Sequence, residues 1–149
     1  MKIALGNDHA AVTLKESLKD LLVSKDITFI DLGINAGEKA DYPIIAEQVC
    51  NKVIDGTCDR AILLCGTGVG MSMSANKIKG IRACVCSDTF SAKLTVQHND
   101  CNVLCMGERV VGAGLMEEIV TAWLNAEFEG GRHESRVNMI KDIENKFFK

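Results

Sequence analysis

The 149-residue sequence has no long uninterrupted apolar run, and its first residues do not read as a signal segment. A membrane-spanning helix needs about 20 apolar residues in a row. The expectation is therefore a protein neither membrane-bound nor exported, with the cytoplasm as its place. Basic charge is not in excess either: 17 Lys and Arg face 20 Asp and Glu, for a net charge of −3. That balance lacks the broad positive field on which nucleic-acid binding draws. No C-x-x-C pair occurs among the seven cysteines, whose number is odd and which lie on or near apolar runs. Neither a zinc-ligand cluster nor a disulfide framework is expected. Cys84 and Cys86, two apart on a strand, share a face rather than form a ligand set. Reduced thiols of a cytoplasmic protein fit best. Internal repeats, low-complexity tracts and linkers are missing too. The apolar share of 47% and charged share of 25% are those of an ordinary globular chain. The length allows a real core, so residues 1–149 are expected to form one domain.

What is present is organised around residues 60–80. A short apolar run over 61–64 fits a fully buried strand of a parallel sheet. It closes on Cys65, after which Gly66, Gly68 and Gly70 alternate, with Thr67 between the first two. A helix-compatible segment follows over 71–78 and ends at Gly80. Strand, glycine loop and helix form the arrangement in which backbone N–H groups converge and stabilise an anion. The spacing is neither the dinucleotide fingerprint G-x-G-x-x-G nor the phosphate loop G-x-x-x-x-G-K-[ST]. A phosphate loop also has no need of a thiol. A thiol beside converging N–H groups suits a base or nucleophile. The alternative is a tight turn with a small buried cysteine.

β and α segments alternate along the rest of the chain. Residues 2–5 read as a first strand, followed by Gly6-Asn7-Asp8-His9. Leu14, Leu18, Leu21 and Leu22 then recur at helical spacing. Asp8 and His9 stand where the strand ends, the place where ligands collect in open α/β sheets. Asp8 serves equally as a helix cap. A second strand covers 27–32. Asp41-Tyr42-Pro43 opens a helix with Ile45, Val49 and Val53 on one face, and Tyr42, the lone tyrosine, stands at its entrance. A fourth strand is expected over 81–85, a short helix over 89–97 ended by His98-Asn99-Asp100, and a fifth strand over 102–106. Gly107-Glu108-Arg109 leaves its carboxyl end. Leu115, Ile119, Val120 and Trp123 mark the core face of the next helix. The pattern favours a doubly wound parallel sheet.

Beyond Glu129-Gly130-Gly131, the run Arg132-His133-Glu134-Ser135-Arg136 opens a last helix. Its apolar stripe is narrow: Val137, Ile140, Ile143 and Phe147. Arg132 and Arg136 lie on one face. Cations in a first turn oppose the helix dipole unless an anion binds there. The stripe is free to pack on the parent sheet or on a second subunit.

Several motifs in the same order resemble one family. They include Gly6-Asn7-Asp8-His9-Ala10, Asp41-Tyr42-Pro43, Cys65-Gly66-Thr67-Gly68-Val69-Gly70-Met71-Ser72, Ala75-Asn76-Lys77 and Gly80-Ile81-Arg82-Ala83. His98-Asn99-Asp100, Gly107-Glu108-Arg109-Val110-Val111-Gly112 and Phe128-Glu129-Gly130-Gly131-Arg132-His133 complete the set. The chain resembles, over nearly its whole length, the type B ribose-5-phosphate isomerases, grouped with the galactose-6-phosphate isomerase subunits. The resemblance implies a Rossmann-like α/β/α sandwich on a five-stranded parallel sheet. It also implies a homodimer or dimer of dimers with sites at the subunit interface, the C-terminal helix packing there, and no metal or organic cofactor. The activity implied is aldose–ketose isomerisation of ribose 5-phosphate and ribulose 5-phosphate through a cis-enediolate, in the pentose phosphate pathway.

By the same resemblance, Cys65 is the base between C1 and C2 and Thr67 assists it. His98 opens the furanose ring, and Asp8 handles the protons on O1 and O2. Gly66, Gly68, Val69 and Gly70 present the loop to the substrate, while Tyr42 and Asn99 line the sugar. His9, Arg109, Arg132 and Arg136 resemble a phosphate clamp, with His133 close by, and some of these groups come from the neighbouring chain. Some members lack the thiol and carry a glutamate just after the glycine loop. Met71 stands there in this chain, which leaves Cys65 as the visible base. Two other readings compete. One keeps the chemistry on a six-carbon sugar phosphate, allose 6-phosphate or galactose 6-phosphate. The other is a non-catalytic α/β binding or receiver module, which would want an acidic phosphoacceptor where Cys65 stands.

Overall fold

A computed structural model describes residues 1–149. Five strands, β1 (Lys2–Asn7), β2 (Thr28–Asp31), β3 (Arg60–Cys65), β4 (Ala83–Val85) and β5 (Val103–Gly107), form one sheet in the order β2-β1-β3-β5-β4. All four pairings are parallel. Six helices follow the strands or extend from them: α1 (Val12–Ser24), α2 (Tyr42–Ile54), α3 (Val69–Ala75), α4 (Thr89–Asn99), α5 (Ala113–Asn125) and α6 (Arg132–Phe147). The expected α/β architecture with a five-stranded parallel sheet is what forms.

Residues along the three central strands alternate between two cores, because successive side chains leave a strand on opposite faces. Ile3, Leu5, Ile62, Leu64, Leu104 and Met106 point to one face, where α1, α4 and α5 cover them. Ala4, Ala61, Leu63, Cys65, Val103 and Cys105 point to the other, under α2 and α3. Burial on both faces is why these strands read as continuous apolar runs. Trp123 of α5 is fully buried in the first core. Its indole N–H finds no hydrogen-bond partner. Six of the seven free cysteines lie in or against these cores outside the cleft described below. Burial pushes the thiols of Cys50 and Cys86 up to about 12 and that of Cys105 well above its ordinary value. Such thiols stay protonated and serve as packing.

Boundaries shift in three places that matter to the site. α3 begins at Val69, two residues before the expected start, so the glycine loop is shorter than its sequence reads. α4 runs on to Asn99, so His98 and Asn99 occupy a last helical turn instead of a following loop. β4 shrinks to three residues because it is an edge strand, paired only with β5.

α6 keeps only His133 and Val137 buried. Ile140, Ile143 and Phe147 stay exposed, at 46%, 60% and 69%, so the stripe does not pack on the parent sheet. A groove of about 550 Å³ lies between it and Ile81, Ala83, Cys84 and Asn99. The Gly80 N–H donates to Glu144 Oε1 and ties the far end of α6 to the body.

Candidate active site

The sheet order places β1 beside β3, with Asn7 in register with Leu64. From β1 the sheet grows outward to β2 on one side, and from β3 to β5 on the other. A crevice opens at the carboxyl ends of strands where the winding reverses. There lies a cleft of about 620 Å³, lined by Asp8, His9, Tyr42, Cys65, Gly66, Thr67, Val69, Gly70 and Arg109, with Ala10, Ala40, Asp41 and Met73.

Cys65 ends β3 at the floor of this cleft, 5% exposed. Its Sγ accepts a hydrogen bond from the Gly68 N–H at 3.1 Å. Gly68 itself sits at φ +84°, a conformation that favours glycine, with its Cα packed toward the Met106 backbone. The Thr67 hydroxyl accepts from the Val69 N–H at 3.2 Å. The N–H groups of Gly66, Thr67 and Gly70 donate to no acceptor within the chain. Uncommitted donors beside a buried thiol are the parts of an oxyanion site. Asp8 is a cap and a cleft residue at once. Its carboxylate accepts from the Ala10 N–H at 2.9 Å, opening the short 3-10 turn at His9–Ala11, and the residue still lines the cleft. Tyr42 lays its ring against Gly70, and the Arg109 guanidinium lies against Gly66. Met71, fully buried, belongs to the core that α2 and α3 cover.

The turn after β5 is hydrogen-bonded to the Cys65 loop through its backbone. The Glu108 N–H donates to the Cys65 carbonyl at 2.9 Å and the Arg109 N–H to the Gly66 carbonyl at 3.1 Å. Contact is so close that a Cβ on Gly107 would collide with the Cα of Thr67 and the carbonyl oxygen of Gly66. Gly107→Ala is therefore expected to cost roughly 1–3 kcal/mol of stability, the usual range for overpacking. It should also lower turnover in the protein that folds, because the Cys65 loop must move. Thermal unfolding and steady-state assays on the same sample check both.

His98, Asn99, Arg132, His133 and Arg136 do not line this cleft. They form a second group at the end of α4 and the start of α6. The His98 and His133 rings stack at 4.1 Å with 10° between their planes. His133 Nε2 lies 3.5 Å from Glu129 Oε2. Ligand atoms of His98, Glu129 and His133 come within 4.8 Å of one another. A metal lies in the plane of each imidazole that binds it, and two parallel stacked rings cannot both meet that demand, so the geometry suits a stacked pair. Arg132 and Arg136 are exposed on the same helix, while Asn99 faces the groove under α6.

Burial first, then the charges of His98 and Arg132, holds His133 below its ordinary value. The unfolded chain therefore takes up the proton more readily than the folded one. The associated stability is present above the ordinary histidine value of about 6.5 and is lost as pH falls below it. The Tm is expected to drop from pH 7.5 to pH 5.5 more steeply in the parent than in His133→Asn. Parallel melting curves check this, and equal slopes would show that His133 carries no such term.

Sequence reasoning missed Asp41, Ala40 and Met73 as cleft residues, and Asn7 as a support. Asn7 is fully buried. It donates from Nδ2 to the Asp8 carbonyl and accepts at Oδ1 from the Ile34 N–H. A polar residue closing a buried strand was the available signal.

The family described as Ribose/Galactose Isomerase matches residues 3–140. Ribose-5-phosphate isomerase B of Escherichia coli is 51% identical over 145 residues, which cover 97% of each chain. The D-erythrulose-4-phosphate isomerase of Pectobacterium atrosepticum is 44% identical over 141 residues, 94% of this chain and 93% of that one. Among solved structures, ribose-5-phosphate isomerase B of Clostridium thermocellum matches with a TM-score of 0.96 and 47% identity, over 99% of both chains.

Proposed function

Because the chain belongs to the ribose/galactose isomerase family, a family of isomerases, we propose that it interconverts ribose 5-phosphate and ribulose 5-phosphate, with residues 1–149 acting as one isomerase domain. The observation that carries this reading is the Cys65 thiol at the cleft floor, beside the Thr67 hydroxyl and three uncommitted N–H groups.

The reaction moves one proton between neighbouring carbons and a second between their oxygens, with no net oxidation. The Cys65 thiolate takes the proton from C2 of the open-chain aldose. The C2–H electron pair forms the C1–C2 double bond, and the carbonyl oxygen O1 gains negative charge. The N–H groups of Gly66, Thr67 and Gly70 hold that charge in the cis-enediolate. Asp8 carries the hydroxyl proton between O2 and O1, and the thiol returns its proton to C1. Thr67 assists the thiol, and Gly68 and Val69 shape the loop against the substrate. Tyr42 packs along the sugar, and His9 and Arg109 draw its phosphate. Arg suits a phosphate dianion through its planar fork.

The second group of residues supplies the rest from a partner subunit. His98 opens the furanose ring by proton transfer, Asn99 contacts the sugar, and Arg132, Arg136 and His133 complete the phosphate clamp. A phosphate there also relieves the conflict of Arg132 and Arg136 with the dipole of α6. The active unit is a homodimer or a dimer of dimers, and the exposed Ile140, Ile143 and Phe147 pack between subunits. No helix is long and apolar enough to cross a membrane. The free thiols match the reducing cytoplasm that we propose as its location. No metal or organic cofactor takes part in this scheme.

A second reading keeps the chemistry and changes the sugar. The galactose in the family's description and the four-carbon substrate in the name of the Pectobacterium relative both favour it. The test is kcat/KM for ribose 5-phosphate, allose 6-phosphate and erythrulose 4-phosphate, side by side in chelator. Preference for ribose 5-phosphate supports the first reading. Preference for another sugar moves the protein to a different pathway, and turnover of none overturns the assignment.

A further inference from the structure

α1 opens without a local cap. Its N-cap, Ala11, has no side chain able to accept a hydrogen bond, and the first turn holds no acidic residue. The missing acceptor comes from 94 residues away: Glu108 Oε2 accepts from the Leu14 N–H at 3.1 Å. A carboxylate at that position satisfies an orphan donor and opposes the positive end of the helix dipole.

The same residue sits in the turn after β5. Its N–H donates to the Cys65 carbonyl, and its neighbour Arg109 is bonded through the backbone to Gly66. Glu108 therefore joins three strand ends. Its backbone holds the Cys65 loop, Arg109 follows it in sequence, and its side chain grips the helix that leads away from Asp8 and His9. It is the one side-chain hydrogen bond between the turn after β5 and α1. Glu108 is not among the residues lining the cleft.

We propose that Glu108 is a positioning residue that fixes the distance between Arg109 and His9 by anchoring the β5 turn to the start of α1. It acts through these two side chains and touches no substrate. Without the anchor, the two side chains lose their common frame. The affinity for the phosphate end of the substrate then falls, while the Cys65 chemistry, held by separate backbone bonds, continues. This inference rests on the reading of His9 and Arg109 as phosphate contacts.

The test compares the full-length protein with Glu108→Ala, Glu108→Gln and Glu108→Asp, well below each melting temperature. KM for ribose 5-phosphate and the calorimetric affinity for inorganic phosphate are both measured. Glu108→Ala is expected to raise KM and weaken phosphate binding by about tenfold, with kcat changed less than about threefold, since misplacement by about 1 Å is enough for such losses. Glu108→Gln, whose amide oxygen still accepts from Leu14, should return KM to within about threefold of the parent. If Glu108→Ala does not fold, Glu108→Asp carries the test. It keeps the charge but falls one methylene short of Leu14, and its KM should rise as in the alanine variant. A lower Tm with unchanged KM and phosphate affinity would make Glu108 a helix cap only and overturn the proposal. A parent protein that binds phosphate but turns over no sugar sinks the proposed activity while the phosphate measurement still judges Glu108. A parent that does not bind phosphate overturns both.

Discussion

Replacing Cys65 with serine is expected to lower kcat by about 10³-fold or more, within the range that proton-transfer groups contribute. The hydroxyl is slightly smaller than the thiol and stands on the same Cβ, and its oxygen is still able to accept from the Gly68 N–H that now meets Sγ at 3.1 Å. It is a far weaker acid than a thiol, so the proposed base is lost and the site is kept. The loop conformation rests on Gly68 and on the backbone bonds from Glu108 and Arg109, none of which the substitution touches. Binding of ribitol 5-phosphate, a polyol that cannot isomerise, should stay within about threefold of the parent by calorimetry. Met71 offers no rescue, being an apolar side chain fully buried in the core. The other thiols offer none either, since they lie outside the cleft. Turnover near the parent level in Cys65→Ser would remove Cys65 from the reaction.

Two inactive proteins are expected to make an active one. In the homodimer proposed above, Cys65→Ser and His98→Asn each remove one of two proposed partners from every site. If a site takes Cys65 from one chain and His98 from the other, a mixed dimer holds one site with both intact and one with neither. Random pairing makes half the dimers mixed, so refolding the two variants together should recover about a quarter of parent activity. The structure motivates this directly. Cys65 lines the cleft at the ends of β1, β3 and β5, whereas His98 stacks on His133 at the junction of α4 and α6. The exposed stripe on α6 offers apolar surface for pairing. Recovery of no activity would mean that His98 works within its own chain or not at all.

Much of this was legible in the sequence because it depends on short-range pattern. Buried strands on a two-sided sheet read as apolar runs, so β3 and β5 stand out to within a residue or two. The Cys65 loop announces itself because alternating glycines beside a thiol have few structural uses, and Gly68 does adopt the positive φ that such a loop needs. Asp8 was ambiguous between cap and cleft residue, and it is both. The helix start at Val69 was missed because Val69 and Gly70 are poor helix formers. Tertiary packing of Met71 and Ala75 overrides that preference.

The order of the strands lay beyond any local pattern. Which strand pairs with which depends on how two whole faces bury their apolar surface, and spacing along the chain carries no trace of it. Yet that order alone puts Asp8 beside Cys65. The stacking of His98 on His133 and the reach of Glu108 to Leu14 across 94 residues have the same origin. Chemistry-bearing residues are recognisable one at a time from their type and neighbours. Their distances are set only when the sheet closes its register and the helices pack upon it.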